Sequence, residues 1–300
     1  MFHKENALAY VIIGDIEENV RGLSPAIKHL RFIQTLTNIV LVAIENQRLY
    51  QDSLRQEALK KELELASKMQ GMLIPDNKSL PKDSSFIFST FYLPHLEVGG
   101  DFLDIIQLSE DEIGFCVADV SGKGIAAAIL MSNFQASLRA LFTKEVGLHD
   151  LIIKLNDIVN RNAKGEKFLT LFLGRYDKRT RNLEYVNSAH LPPLLYCGDT
   201  KKLEELESGC IGLGMLDEIY DIKLGNIKIE KNSKILCFTD GLTELKFGGT
   251  VKDDFLQLES YLTNVDTIDV NIEQIVGQLN AIKADNLIFD DITILGIHFL

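Results

Sequence analysis

The segment Phe115-Cys-Val-Ala-Asp-Val-Ser-Gly-Lys-Gly124 contains the clearest structural signal in this 300-residue chain. Its first four residues continue an apolar run from Ile113 that is typical of a buried strand. Asp119 ends the strand, a loop with two glycines follows, and the stretch 124–143 has helical spacing. A carboxylate beside buried strand residues costs free energy unless it is paired or bound to metal. The segment therefore predicts a strand, a functional loop and a helix in succession.

Three further aspartates share this local design, at one end of an apolar strand and beside a glycine or another small turn residue. They are Asp101 in Glu-Val-Gly-Gly-Asp-Phe, Asp240 in Leu-Cys-Phe-Thr-Asp-Gly and Asp290 in Phe-Asp-Asp-Ile-Thr-Ile-Leu. One Asp-Gly alone is typical of a solvated β-turn. Four carboxylates at one sheet edge would repel one another unless cations neutralised them, and oxygen ligands without His or Cys suit Mg²⁺ or Mn²⁺. The glycine loop also lets the main-chain carbonyl of Val120 act as a ligand.

The rest of the region after Pro75 alternates short β-rich runs with turns, from Phe86 to Phe299. Helical patterns interrupt these runs at about 124–143, 148–163, 253–262 and 271–283. Strands in pairs and helices in blocks predict an α+β fold with antiparallel sheets covered by helices.

The N-terminal region predicts a short strand over 7–16 and then a long helix that begins near Ser24 and Pro25 and ends near Gly71. The first part of this helix has a thick apolar stripe, made of Phe32, Leu36, Ile39, Val40, Ala43 and Ile44. Its second part spaces Leu59, Leu63, Ala66 and Leu73 at about 3.5 residues, the seam of a coiled coil. We expect a homodimer through residues 25–74; the alternative is an amphipathic helix packed on its own domain.

Composition limits the classes of function. The chain is 46% apolar and 25% charged, as in soluble globular proteins, and its net charge is −12. Residues 1–83 carry 11 basic and 11 acidic side chains, so the whole excess lies in residues 84–300. That excess argues against nucleic-acid binding and against a metal-dependent nuclease. Four cysteines without a C-x-x-C pair, no signal peptide and no membrane-spanning apolar run predict a cytoplasmic protein without a zinc site.

Five ordered motifs resemble those of the SpoIIE/RsbU-type serine/threonine phosphatases, the bacterial branch of the PP2C-like (PPM) family. They are Glu97–Asp104, Ala118–Met131, Asn187–Pro193, Phe238–Glu244 and Asp290–Thr293. The resemblance covers about 66–300. It implies an α-β-β-α sandwich over 84–300, with two antiparallel sheets flanked by helices around a centre of two Mn²⁺ or Mg²⁺ ions.

The resemblance also implies the ligands. Asp119 would bridge both ions and the Val120 carbonyl would bind one. Asp240 and Asp290 would hold the other, with Asp291 as the fallback for Asp290, and Asp101 would complete the site directly or through water.

Two such ions lower the pKa of a bridging water and orient it for attack on phosphorus, so no protein nucleophile is needed. We therefore expect a phosphatase for phosphoserine or phosphothreonine, with a STAS-type anti-anti-sigma regulator as the substrate that the resemblance implies. His190 is expected to be structural, and Lys123 either meets the substrate phosphate or is a solvated loop lysine. The sequence departs from the family at Ser188-Ala189-His190, where Ala-Gly-His is usual, which affects local backbone shape.

Residues 1–24 resemble the end of a GAF-type sensor domain, followed by the linker helix over 25–74. This arrangement leaves one alternative function open, a catalytically silent dimeric signalling scaffold that binds a phosphorylated partner. The four intact aspartates argue against it.

Overall fold

The computed structural model describes residues 29–243, 258–283 and 290–300, together with Ile12 and the backbone of four short strands at 2–3, 6–7, 246–247 and 250–251. It divides into two compact units, Met1–Glu64 and Leu65–Leu300. Most of the predicted strand over 7–16, the predicted helix start at Ser24 and Pro25, and Glu244 lie outside the described residues.

The helices are α1 (Leu30–Gly71), α2 (Ile125–Leu141), α3 (Leu148–Ala163), α4 (Asp240–Thr243), α5 (Leu258–Thr263) and α6 (Ile268–Lys283). The first eight strands are β1 (Phe2–His3), β2 (Asn6–Ala7), β3 (Phe86–Leu93), β4 (Phe102–Gln107), β5 (Glu112–Val120), β6 (Leu169–Asp177), β7 (Asn182–Ser188) and β8 (Leu194–Tyr196). The others are β9 (Leu203–Glu205), β10 (Gly209–Cys210), β11 (Gly225–Lys228), β12 (Ser233–Phe238), β13 (Lys246–Phe247), β14 (Thr250–Val251) and β15 (Ile292–Phe299).

The helix α1 confirms the prediction of a long unbroken helix in the N-terminal region, because it runs for 42 residues. Large apolar side chains on it are exposed, among them Phe32 (63%), Ile39 (60%) and Leu59 (53%). No helix in the described part of the chain combines the length and the apolar character that crossing a membrane requires.

Two sheets form the body of the second unit. The first has the order β10-β7-β6-β5-β4, with β11 also paired to β7, and the second has the order β3-β15-β12-β8-β9. Neighbouring strands are antiparallel except β10, which pairs with β7 in parallel. The expectation of two antiparallel sheets is therefore correct apart from this two-residue strand.

The strands alternate between two cores, as the period of two requires. In β5, Ile113, Phe115 and Val117 face the second sheet, while Cys116 and Ala118 face α2 and α3. On the second sheet, Cys237 and Leu295 face inward, and Phe238 and Ile294 lie in the core formed with α5 and α6. The result is the predicted α-β-β-α sandwich.

Within the two large sheets, three strands have no counterpart among the β-rich runs predicted from sequence. β4 was missed because Asp104 interrupts its apolar pattern, and β9 and β10 were missed because they are only three and two residues long. The helix predicted at 271–283 begins earlier, at Ile268, and the described part of the helix predicted at 253–262 is α5.

Candidate metal centre

The predicted carboxylates converge because the strand alternation reaches the strand ends and, at Asp101 and Thr239, continues one residue beyond them. Asp119 follows Val117 on the face between the sheets, and Asp101 precedes Leu103 on the same face of β4. On the second sheet, Thr239 follows Cys237 and Thr293 precedes Leu295 in the same way. The sandwich therefore gathers polar groups from both sheets at one end of the inter-sheet layer.

Asp101 is held by two threonines from the opposite sheet. Its side chain is buried, and its Oδ2 accepts hydrogen bonds from Thr239 Oγ1 at 2.6 Å and Thr293 Oγ1 at 2.7 Å. Burial and the neighbouring Asp119 carboxylate nevertheless raise the pKa of Asp101 well above its usual range, because the two hydroxyl donors offset the rise only in part.

Asp119 has the electrostatic environment of a cation site. Burial is the largest cause that raises its pKa to about 7, and the carboxylates of Asp240, Asp290 and Asp291 add to the rise. A hydrogen bond with Asp101 opposes it. Carboxylates this close to one another share a proton unless bound cations neutralise their charge.

Asp291 is engaged by the backbone of another loop. Its Oδ1 accepts from His95 N at 2.8 Å, and its Oδ2 accepts from Gly100 N at 2.6 Å and Asp101 N at 3.4 Å. These bonds direct the carboxylate at the loop before β4. Asp291 thus positions Asp101.

Asp290 has a different environment. It is half-buried, its Oδ1 accepts from Asp291 N at 2.9 Å, and its Oδ2 lies 2.6 Å from Lys123 Nζ. Of the two adjacent acids, Asp290 is the one with an oxygen in contact with a positively charged group, the Lys123 ammonium.

The backbone of Gly100 packs closely against the buried Val120. A Cβ at position 100 would lie 3.0 Å from the Val120 carbonyl oxygen, so glycine allows this close approach. Hydrogen bonds fix the next residue, Ser121. Lys167 Nζ donates to Ser121 O at 2.6 Å, and Phe168 N donates to Ser121 Oγ at 3.0 Å.

The donor set fits hard divalent ions in chemistry and charge, since carboxylate and carbonyl oxygens repel one another here without a cation. Within the described ranges, however, no three His, Cys, Asp or Glu side chains are arranged to hold a metal ion. Their present partners are of different kinds: Asp101 accepts from two threonines, Asp290 pairs with Lys123, and Asp291 accepts from backbone N–H groups.

His190 lies next to the carboxylate cluster, in contact with the strand that pairs with β5. Its ring is buried, Nδ1 lies 2.9 Å from Thr170 Oγ1, and Thr170 is the strand partner of Asp119. Burial lowers the pKa of His190 to about 4, with the Phe238 backbone opposing the shift in part. The imidazole is thus neutral near pH 7, which fits a structural residue.

The loop around His190 has an unusual conformation. Ala189 has φ +54°, in the left-handed region, and Asn187 Oδ1 accepts from His190 N at 2.8 Å across it. The departure from Ala-Gly-His therefore places an alanine where the backbone favours glycine.

Two supports of the site were not found from sequence. Gln70 Nε2 donates to Gly99 O at 2.7 Å and Gly99 N donates to Gln70 Oε1 at 3.0 Å, which ties the end of α1 to the loop before Asp101. Arg139 pairs with the fully buried Asp104 through Nε at 2.6 Å and an Nη at 2.7 Å, joining α2 to β4. Gln70 and Arg139 were missed because sequence patterns predict that polar residues on a helix face solvent.

Comparison with known proteins places these features in a wider group. Residues 109–300 match the family model described as Stage II sporulation protein E (SpoIIE). "Phosphoserine phosphatase RsbU" of Bacillus subtilis (strain 168) is 28% identical over 193 residues, which cover 64% of this chain and 56% of that protein. The chain spans about half the length of the curated relatives that it matches.

Solved structures agree on the fold. The SiaA-PP2C domain of Pseudomonas aeruginosa aligns with a TM-score of 0.65 and 18% identity, covering 82% of this chain and 98% of that one. RsbX in complex with magnesium aligns with a TM-score of 0.56 and 16% identity, covering 73% of this chain and 98% of that one.

Proposed function

The chain belongs to the SpoIIE family, and from that membership and its carboxylate cluster we propose that it is a metal-dependent phosphatase of phosphoserine or phosphothreonine in proteins. The observation that carries the proposal is the convergence of carboxylates around Asp119, where burial first, and then the charges of Asp240, Asp290 and Asp291, raise its pKa to about 7. A cluster of carboxylates that repel one another, drawn from both sheets, is the environment in which divalent cations bind.

Asp119, the Val120 carbonyl, Asp240 and Asp290 would hold two Mn²⁺ or Mg²⁺ ions, with Asp101 completing the site directly or through water. When bound, the ions supply a water of lowered pKa and positive charge for the phosphoryl oxygens. The protein's own part is positional. Thr239 and Thr293 fix one oxygen of Asp101, and Asp291 fixes the loop on which Asp101 lies.

The test is phosphate release from a phosphoserine peptide and from p-nitrophenyl phosphate by the purified chain. We expect release with Mn²⁺ or Mg²⁺, none in EDTA, and at least a hundredfold loss in Asp119→Asn. Asp111→Asn, on the hairpin before β5, serves as the control that keeps activity. Activity that survives both EDTA and Asp119→Asn would refute the proposal. Calorimetry that finds phosphopeptide binding without divalent-ion binding would favour the scaffold instead.

For the substrate, we propose a phosphorylated STAS-type regulator in a partner-switching pathway. The similarity to a protein named as a phosphoserine phosphatase supports the reaction, and the family resemblance of the motifs supports the pathway. Because a net charge of −12 repels a phosphoprotein, the bound cations would have to supply the attraction at the site.

We also propose that α1 pairs with α1 of a second copy. The exposed apolar side chains along it are the support, since a helix that exposes such a stripe gains free energy by covering it. A change in α1 that reached Gln70 would act on the Gly99–Asp101 loop, which gives the linker a route to the metal ligands.

A further inference from the structure

Lys123 lies in the loop that follows the central aspartate. Its Nζ is 2.6 Å from Asp290 Oδ2, and both side chains are partly exposed, at 43% and 32%. The flanking Gly122 and Gly124 have φ +76° and +80°, a backbone conformation that side-chain-bearing residues rarely adopt. The loop therefore holds one lysine over the carboxylate cluster between two glycines.

The two oxygens of Asp290 have different partners. Oδ1 accepts the backbone N–H of Asp291 at 2.9 Å, while Oδ2 receives the ammonium. A divalent ion that used Oδ2 would approach the same atom as the lysine. Two cations on one carboxylate oxygen repel each other, so the ion must displace the ammonium or bind more weakly beside it.

We propose that Lys123 is a built-in competitor for divalent cations at Asp290, and that the displaced ammonium contacts the phosphoryl group of the substrate. The first half depends only on cation binding, and the second half rests on the proposed function. An ammonium is a compact charge on a flexible stem, which suits both positions. Lysine is also a common point-charge partner of phosphate.

Lys178 provides a matched control. Its Nζ lies 2.8 Å from Asp83 Oδ2 in an ion pair of similar length, where β6 ends and away from Asp119. Removing this ammonium changes the protein's charge as much as removing that of Lys123 does. It leaves the oxygen atoms of Asp290 untouched.

The experiment is Mn²⁺ titration by calorimetry, without substrate, of the full chain and of Lys123→Met, Lys123→Arg and Lys178→Met. We expect Lys123→Met to bind Mn²⁺ about three- to tenfold more tightly. Lys123→Arg and Lys178→Met should match the parent. Thermal melts in EDTA and in Mn²⁺ verify folding, and the rise in Tm on adding Mn²⁺ should be larger in Lys123→Met than in the parent.

Unchanged or weaker Mn²⁺ binding in folded Lys123→Met would overturn the competition, as would the absence of binding in every variant. The second half predicts that KM for p-nitrophenyl phosphate rises severalfold in Lys123→Met at saturating Mn²⁺, and an unchanged KM would overturn it. A parent chain that binds Mn²⁺ but hydrolyses nothing would refute the proposed function and leave the competition standing.

Discussion

The side-chain amide of Gln70 pairs with both backbone polar groups of Gly99, donating to its carbonyl at 2.7 Å and accepting from its N–H at 3.0 Å. Both residues are buried, so neither backbone group has water as a substitute partner. The last turn of α1 is thus joined to the loop that presents Asp101.

Replacing Gln70 by alanine should lower the free energy of unfolding by about 1–3 kcal/mol, because two buried backbone groups lose their partners. Urea denaturation measures this loss, and calorimetry should show weaker Mn²⁺ binding because the Asp101 loop is released. Met69→Ala is the control, since Met69 is 63% exposed on the same helix. Equal stability of Gln70→Ala and Met69→Ala would contradict the assignment.

Removing the charge of Asp291 should affect stability, whereas removing the charge of the adjacent Asp290 should affect Mn²⁺ binding. Asp291→Asn should lower the free energy of unfolding by about 2–3 kcal/mol, because an amide cannot accept from His95 and Gly100 with both of its polar atoms. Asp290→Asn should keep the fold and lose at least tenfold in Mn²⁺ affinity. Urea denaturation in EDTA and calorimetry separate the two, and a stable Asp291→Asn that no longer binds Mn²⁺ would reverse the roles.

In EDTA, acidification should stabilise the parent relative to Asp119→Asn. The pKa of Asp119 is raised from 3.8 to about 7 in the folded chain, so the folded state binds a proton more tightly than the unfolded state does. Protonated Asp119 therefore contributes to the free energy of unfolding below about pH 4, and this contribution is lost as the pH rises to about 7. The contribution amounts to a few kcal/mol at most, or about 1.4 kcal/mol for each unit of pKa shift.

Urea denaturation of both proteins at pH 5, 6, 7 and 8 tests this prediction. Comparison with Asp119→Asn is needed because His190 acts in the opposite sense. Its pKa is lowered to about 4, so its contribution is lost as the pH falls from 6.5 toward 4. A stability difference that does not change with pH would show that Asp119 is not perturbed.

Ala189→Gly should stabilise the chain by about 0.5–1 kcal/mol. Alanine at φ +54° carries a steric penalty that glycine lacks, and this gain exceeds the extra entropy of glycine in the unfolded chain. Ala136→Gly is the opposite control, because Ala136 is exposed within α2 and glycine there costs about 1 kcal/mol. Thermal and urea denaturation report both, and destabilisation by Ala189→Gly would be the contrary result.

Leu36→Glu with Val40→Glu should convert a dimer to a monomer, because it places two charges on one exposed apolar face of α1. Light scattering of the full chain gives the mass directly. Asn46→Glu on the same helix controls for added charge. A parent chain that is already monomeric would end the dimer proposal.

The sequence predicts that aspartates at strand ends come together, and the strand alternation explains why Asp101 and Asp119 meet; their role as metal ligands stays a prediction. It does not predict the role of Asp291, because that role depends on the backbone of Gly100, 191 positions away. It likewise misses β4, because the partner that makes a buried Asp104 acceptable is Arg139 on a helix 35 positions later. Long-range partners of single polar groups leave no periodic pattern in the chain.

The pairing of β3 with β15 determines when the second sheet can form during folding. Phe86 pairs with Phe299, and β15 lies between β3 and β12 with every residue buried. Contacts of such long separation slow folding, because the loop must close before they form. During synthesis the second sheet cannot close until residues 292–299 have left the ribosome, so the proposed cation site would be incomplete in any shorter nascent chain.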